Sequence, residues 1–175
     1  MKLMQEHTDR DKIISILGGL ALFLSIIEHV IPKPIPFIRI GLANIPILIS
    51  LILLTPRDTI FLILIKSIGS SLVTGTIFSW IFLYSLTGSI VSGVVMLLFY
   101  NIFKKRISMI GVSLIGALAN NLMQILMATL FLGSGAKYIG IPILIIGFIS
   151  GIIIGHTSNT FIQKSQWVRS HQLKI

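Results

Sequence analysis

Cysteine is absent from this chain of 175 residues, and acids are scarce, with five Asp and Glu in all. Without cysteine there is no disulfide framework, no thiolate nucleophile and no Cys-ligated metal. The acids are also poorly arranged for paired-carboxylate chemistry. Asp58 stands alone, Asp9 and Asp11 lie near the N-terminus, and Glu28 is the acid that falls inside an apolar run. No nearby acid pair is available to hold Mg²⁺ against a diphosphate. A GxxxxGK(S/T) phosphate loop, an HExxH pair and a convincing Ser/His/Asp set are missing too. Gly133-Ser-Gly-Ala-Lys137 lacks the spacing of such a loop. The chain is therefore not expected to be an enzyme, to bind a metal or to carry a cofactor.

What is abundant is hydrocarbon. Hydrophobic residues make up 54% of the chain and charged ones 11%, with a mean hydropathy of +0.99. A soluble domain of this length could not cover its surface with so few polar groups, so the composition points to a membrane protein. The net charge of +9 would suggest nucleic acid in a soluble protein. Here the bases lie mostly at the ends of apolar runs, which assigns them to membrane topology and not to a nucleic-acid partner. Residues 1–12 carry three bases and three acids, and no small-residue cleavage site follows. They read as a cytoplasmic N-terminal tail before a retained helix, not as a signal peptide.

About 20 apolar residues cross a bilayer as a helix. The apolar runs predict six spans, at 13–31, 40–54, 58–73, 80–103, 107–132 and 138–162, forming one transmembrane domain over 13–162. The second and third are short. Residues 163–175 read as a cytoplasmic C-terminal tail. Thr55-Pro56-Arg57-Asp58 reads as a tight turn with Asp58 at the next helix start. Ten bases fall on one side of this arrangement and three, Lys33, Arg39 and Lys137, on the other. The imbalance predicts that both termini are cytoplasmic.

Lys66 sits within Ile60-Phe-Leu-Ile-Leu-Ile-Lys66, near mid-depth of the third span. A charge at the bilayer centre costs roughly 2.5–3.5 kcal/mol on insertion scales, so it has a partner or a task. By helix rise, Glu28, Arg39, Asn44, Asn120, Asn121 and Gln124 share its outer depth band. Two uses are open for each. Lys66 pairs with Glu28 or contacts a ligand. Asn120, Asn121 and Gln124 line a pocket or bind helix to helix. Arg39 anchors a headgroup or holds a ligand. His156 lies towards the cytoplasm and reads as structural. The run Arg39-Ile-Gly-Leu-Ala-Asn-Ile-Pro46 suggests a helix start below the outer surface, whose amides suit an anion. Pro32-Lys-Pro34-Ile-Pro36 before it reads as a stiff loop walling the pocket.

Several of these stretches resemble a known family. Glu28 ahead of the proline loop, Arg39-Ile-Gly-Leu-Ala-Asn44, Lys66-Ser-Ile-Gly-Ser-Ser-Leu-Val-Thr-Gly-Thr-Ile-Phe-Ser79 and Gly116-Ala-Leu-Ala-Asn-Asn-Leu-Met-Gln124 resemble the Gx transporter family over about residues 13–162. Its members are often labelled heptaprenyl diphosphate synthase component I. The family is similar to substrate-binding S components of energy-coupling factor transporters, which are six-helix membrane proteins. The resemblance implies an all-α integral membrane bundle in a bacterial cytoplasmic membrane, and a polar core of Glu28, Arg39, Asn44, Lys66, Asn120, Asn121 and Gln124. It also implies partners: a transmembrane coupling subunit and ATPases. The family more often carries His where Asn120 stands, which argues against a proton-linked role there.

The leading expectation is thus a membrane subunit that binds a small anionic molecule from outside for uptake, such as an isoprenoid or quinone precursor or a vitamin. In it Arg39 and Lys66 hold the anion and apolar walls take any lipidic tail. The alternative is a non-catalytic accessory subunit of heptaprenyl diphosphate synthase in menaquinone side-chain synthesis. It would recruit a soluble partner through Lys104-Lys105-Arg106 and the basic C-terminus.

Overall fold

Helix follows helix in the computed structural model, and the described residues contain no strand. Residues 2–32, 40–133, 135, 138 and 140–172 are described; for 2–8, 80, 81, 105, 132 and 172 this extends to the backbone alone. The helices are α1 (Lys2–Val30), α2 (Ile45–Leu53), α3 (Pro56–Val73), α4 (Trp80–Phe103), α5 (Met109–Leu132), α6 (Gly140–Lys164) and α7 (Gln166–Gln172).

Local chemistry sets several boundaries. Thr55 caps α3: its hydroxyl accepts the Asp58 amide at 3.4 Å and donates to the Asp58 carboxylate at 2.7 Å. Pro56 occupies the first turn, where its missing N–H is not needed. Ser108 caps α5 by accepting the Gly111 amide at 3.1 Å. Gly133, at φ +82°, ends α5.

Among the described residues, four helical stretches are long and apolar enough to cross a membrane: Asp9–Val30, Phe82–Phe103, Met109–Phe131 and Gly140–Lys164. Their outward side chains include Phe23, Leu98, Leu122, Leu130 and Ile145, all exposed. So much apolar surface is stable against lipid and not against water, and the chain is a multi-pass membrane protein.

The expected second and third spans fall short of that length and apolarity. The second is a nine-residue helix, about 14 Å long at 1.5 Å per residue, against a hydrocarbon core of about 30 Å. Nearly every residue of α2 is buried, because it packs against α1, α3, α4, α5, α6 and α7. It is apolar all round for that reason and serves as the core of the bundle. The third, α3, runs 18 residues but carries Arg57, Asp58 and Lys66.

The stretches on either side of 13–162 are helical where described. Residues 2–12 continue α1 without a break. Arg10 approaches Asp58 at 3.9 Å and ties that end to the α2–α3 turn. At the other end α7 docks on the core through Val168, which is fully buried, with Trp167 packed beside it. Burial of these two apolar side chains holds residues 166–172 on the bundle.

α5 and α6 meet along Gly147, Gly151 and Gly155, one small residue per turn. A Cβ on Gly155 would lie 2.6 Å from Ile110 Cα, so the helices touch backbone to backbone there.

Candidate functional site

Gly41 is the pivot of the site. Its φ of +85° is left-handed, a conformation that costs an L side chain roughly 1–2 kcal/mol. This geometry starts a tight turn over Leu42–Asn44, closed by the Asn44 amide on the Gly41 carbonyl at 2.8 Å. The Gly41 N–H donates to Glu28 Oε1 at 3.0 Å. Three residues on, Asn44 Oδ1 accepts from Lys66 Nζ at 2.6 Å. Glu28 of α1 and Lys66 of α3 are therefore held by opposite ends of one turn.

The turn also answers the expectation of an anion at a submerged helix start. An anion does meet a backbone amide just before α2, and it is the protein's own carboxylate. Glu28 is 7% exposed, so this hydrogen bond offsets part of the cost of burying its charge.

Around this turn lies a polar cavity of about 120 Å³. α3 supplies Lys66, Ser67, Ser70 and Ser71, followed by Thr74 and Thr76 beyond its end. α4 supplies Ser85, Ser89 and Ser92, spaced as one helical face. α1 adds Ser25, Glu28 and His29, and α5 adds Asn120. Some of these hydroxyls are satisfied locally: Ser71 donates to the Ser67 carbonyl at 2.9 Å and Thr74 to that of Ser70 at 2.9 Å. The hydroxyls of Ser67 and Ser92 are buried and have no hydrogen-bond partner.

Of the residues singled out from the sequence, Glu28, Asn44, Lys66 and Asn120 meet in this wall. Asn121 does not share it. Its amide donates to the Ile143 carbonyl of α6 at 3.0 Å, and Gly147 makes room for it. Gln124 is also away from the wall, fully buried, with both side-chain polar atoms lacking a partner. One residue step turns a helix by 100°, which is why neighbours Asn120 and Asn121 face different helices. Arg39, with most of the proline loop before it, lies outside the described residues. His156 lines a separate shallow groove with Phe161 and Lys164.

The serine faces escaped the reading of the sequence, although their spacing was visible. Ser85/Ser89/Ser92 and Ser67/Ser71/Thr74 repeat at three and four residues. In apolar helices this spacing usually reads as packing. What separates a wall from a seam is that both stripes line the cavity that holds Lys66 and Glu28.

Among the described residues no three His, Asp or Glu side chains gather as metal ligands. The wall as a whole offers one ammonium, one carboxylate, one imidazole, two carboxamides and many hydroxyls, which is equipment for binding by hydrogen bonds.

Compared with known proteins, the chain matches the model of one family, described as heptaprenyl diphosphate synthase component I, over residues 17–161. No curated protein and no solved structure gives a significant match.

Proposed function

The chain belongs to the heptaprenyl diphosphate synthase component I family, and from that premise we propose that it is the non-catalytic membrane component of such a synthase. The observation that carries this is the family match over residues 17–161, which takes in α2 to α5 whole, about half of α1 and most of α6. The chemistry agrees. Five acids, none paired in the apolar runs, leave diphosphate activation through Mg²⁺ to another subunit. The role of this chain is then to hold that subunit at the membrane, where a lengthening prenyl chain partitions into lipid.

The positive-inside asymmetry supports a cytoplasmic location for both termini in a bacterial cytoplasmic membrane. On that side Lys104–Arg106 forms the turn between α4 and α5, and Lys164 and Arg169 flank the α6–α7 junction. These bases are the proposed contact for a soluble catalytic component. Co-expression of the chain with the cell's soluble prenyl synthase, followed by affinity purification in detergent, tests the reading. Co-elution with a rise in synthase activity is expected; a synthase equally active and unretained without the chain would overturn it.

A second reading is favoured by the cavity. In it the chain is the solute-binding subunit of an uptake transporter of the energy-coupling factor kind. A transmembrane coupling subunit and ATPases would supply the work. Glu28, Asn44, Lys66 and Asn120 would hold the solute. Reconstituted uptake that depends on ATP and on Lys66 supports this reading, and uptake unaffected by Lys66→Ala removes it.

A further inference from the structure

We infer that the α7 end of α6 holds one anionic phospholipid, with its phosphate among His156, Thr160 and Lys164 and an acyl chain along the isoleucine face of the same helix. This stands apart from both readings of function and asks only that α6 cross the membrane.

Depth is the first argument. A Cβ on Gly155 would lie 2.6 Å from Ile110 Cα and 3.1 Å from the Met109 carbonyl oxygen. Gly155 is therefore level with the start of α5, a helix long and apolar enough to cross. From Gly155, α6 continues to Lys164, about 14 Å further at 1.5 Å per residue. Its 25 residues span about 37 Å, more than a hydrocarbon core of about 30 Å. The last turns of α6, from His156 on, thus stand at headgroup depth.

The helix face is the second. His156, Thr157, Thr160, Phe161, Lys164 and Ser165 line an open groove of about 590 Å³, far more than one bound ion fills. The first five are spaced as one face of α6. Followed into the membrane, that face becomes Ile145, Ile149, Ile152 and Ile153, all exposed. Polar donors at one end of an apolar stripe match a headgroup joined to a chain, and a water-soluble phosphate would leave the stripe unused.

Charge is the third. Beyond Asp58 the sequence contains no Asp or Glu, so the groove has a base and no acid. Thr157 donates to the Ile153 carbonyl at 2.8 Å, and Ser165 accepts the Val168 amide at 3.3 Å. The Thr160 hydroxyl, an imidazole N–H of His156 and the Lys164 ammonium line the groove as donors. A phosphodiester carries one negative charge on oxygens that accept such bonds, and these charge-assisted bonds are the stronger kind. Basic pockets beside transmembrane helices at the membrane surface are where anionic headgroups bind. A partner helix would have to bring its own acid to this depth. Lys164 then faces a headgroup, and Lys104–Arg106 and Arg169 are left for a soluble partner.

Native mass spectrometry of the full chain tests this. The protein is delipidated in detergent, then given phosphatidylglycerol and phosphatidylcholine with identical acyl chains. Expected is retention of one phosphatidylglycerol in preference to phosphatidylcholine. Lys164→Gln should weaken retention about fivefold, and Lys164→Gln with His156→Ala about tenfold or more. Both side chains are exposed, so the variants should unfold at the midpoint of the parent. Arg106→Gln, outside the groove, should change retention little. An equal loss in Arg106→Gln would mean general attraction to bases and overturn the site. Equal retention of the two lipids, or retention unchanged in the double variant, would overturn it too. Glycerol 3-phosphate competing as well as phosphatidylglycerol would remove the acyl chain and overturn the lipid. No retained lipid would also overturn the inference, and dimers lost in the double variant would give the face to a second copy of the chain.

Discussion

Lys66 Nζ donates to Asn44 Oδ1 at 2.6 Å, joining the middle of α3 to the turn that precedes α2. A half-buried ammonium in an apolar bundle is thereby given a fixed acceptor. Hydrogen bonds to charged groups contribute about 1.5–3 kcal/mol, so Asn44→Ala should destabilise the protein by about that amount. Replacing both partners, as Asn44→Leu with Lys66→Met, should cost less than the sum of the single changes, because the ammonium and its acceptor are then removed together. Unfolding midpoints of the four proteins in a double-mutant cycle check this; additive losses would contradict the link.

Gly41 is expected to resist substitution for a backbone reason. Gly41→Ala forces a Cβ onto a residue at φ +85° and sets it 3.2 Å from Asn44 Nδ2. The left-handed geometry alone costs about 1–2 kcal/mol. Gly41→Asn should cost less, because asparagine visits that region more readily. Thermal unfolding of both variants decides it, and equal tolerance of alanine would argue against the strained turn.

The α5–α6 seam gives a sharper contrast between two glycines. A Cβ on Gly155 would press on Ile110 Cα at 2.6 Å, whereas one on Gly19 of α1 meets nothing within 4 Å. Gly155→Ala should therefore lower stability by about 1–3 kcal/mol through overpacking. Gly19→Ala should be neutral or raise stability by up to about 1 kcal/mol through helix propensity. Denaturation in mixed micelles orders the two; the reverse order would be incompatible with close packing at Gly155.

The C-terminal helix should behave as part of the fold. Val168 is completely buried against the core, so Val168→Ala removes about two methyl groups, or about 1.6 kcal/mol. An exposed neighbour, Ser170→Ala, should change little. A Val168→Ala protein as stable as the parent would mean that α7 does not dock.

Topology can be read with single cysteines, since the parent chain has none. Arg106→Cys should react with an impermeant maleimide only in inside-out vesicles or opened cells. Gly135→Cys should react in intact cells. Labelling of both from the same side would contradict the arrangement in which α5 crosses the membrane.

Much of the helical layout was legible in the sequence. The run 80–103 matches α4, and 107–132 and 138–162 differ from α5 and α6 by two residues at the ends concerned. Helix ends follow from local signals such as Thr55, Ser108 and Gly133, which a linear reading contains. The candidate site was partly legible. Glu28, Asn44, Lys66 and Asn120 stood out as polar groups in apolar surroundings. The serine stripes did not, because a serine in an apolar helix reads as packing until its neighbour is known. The seam of Gly147, Gly151 and Gly155 was visible as spacing, but spacing does not name the helix it touches.

The sequence by itself determined that this is a helical membrane protein. Apolarity and length are properties of contiguous residues, and lipid accepts such a run with its backbone bonds closed internally. Tertiary structure decided the rest. It buried α2 at the centre of the bundle, because its eight apolar residues and Ser50 are covered by six neighbouring helices. It separated Asn120 from Asn121 by one step of helix rotation. Through the left-handed Gly41 it gave Glu28 a backbone amide and Lys66 a carboxamide, setting two distant charges into one wall. Those meetings depend on how helices cross, which no local run of residues specifies.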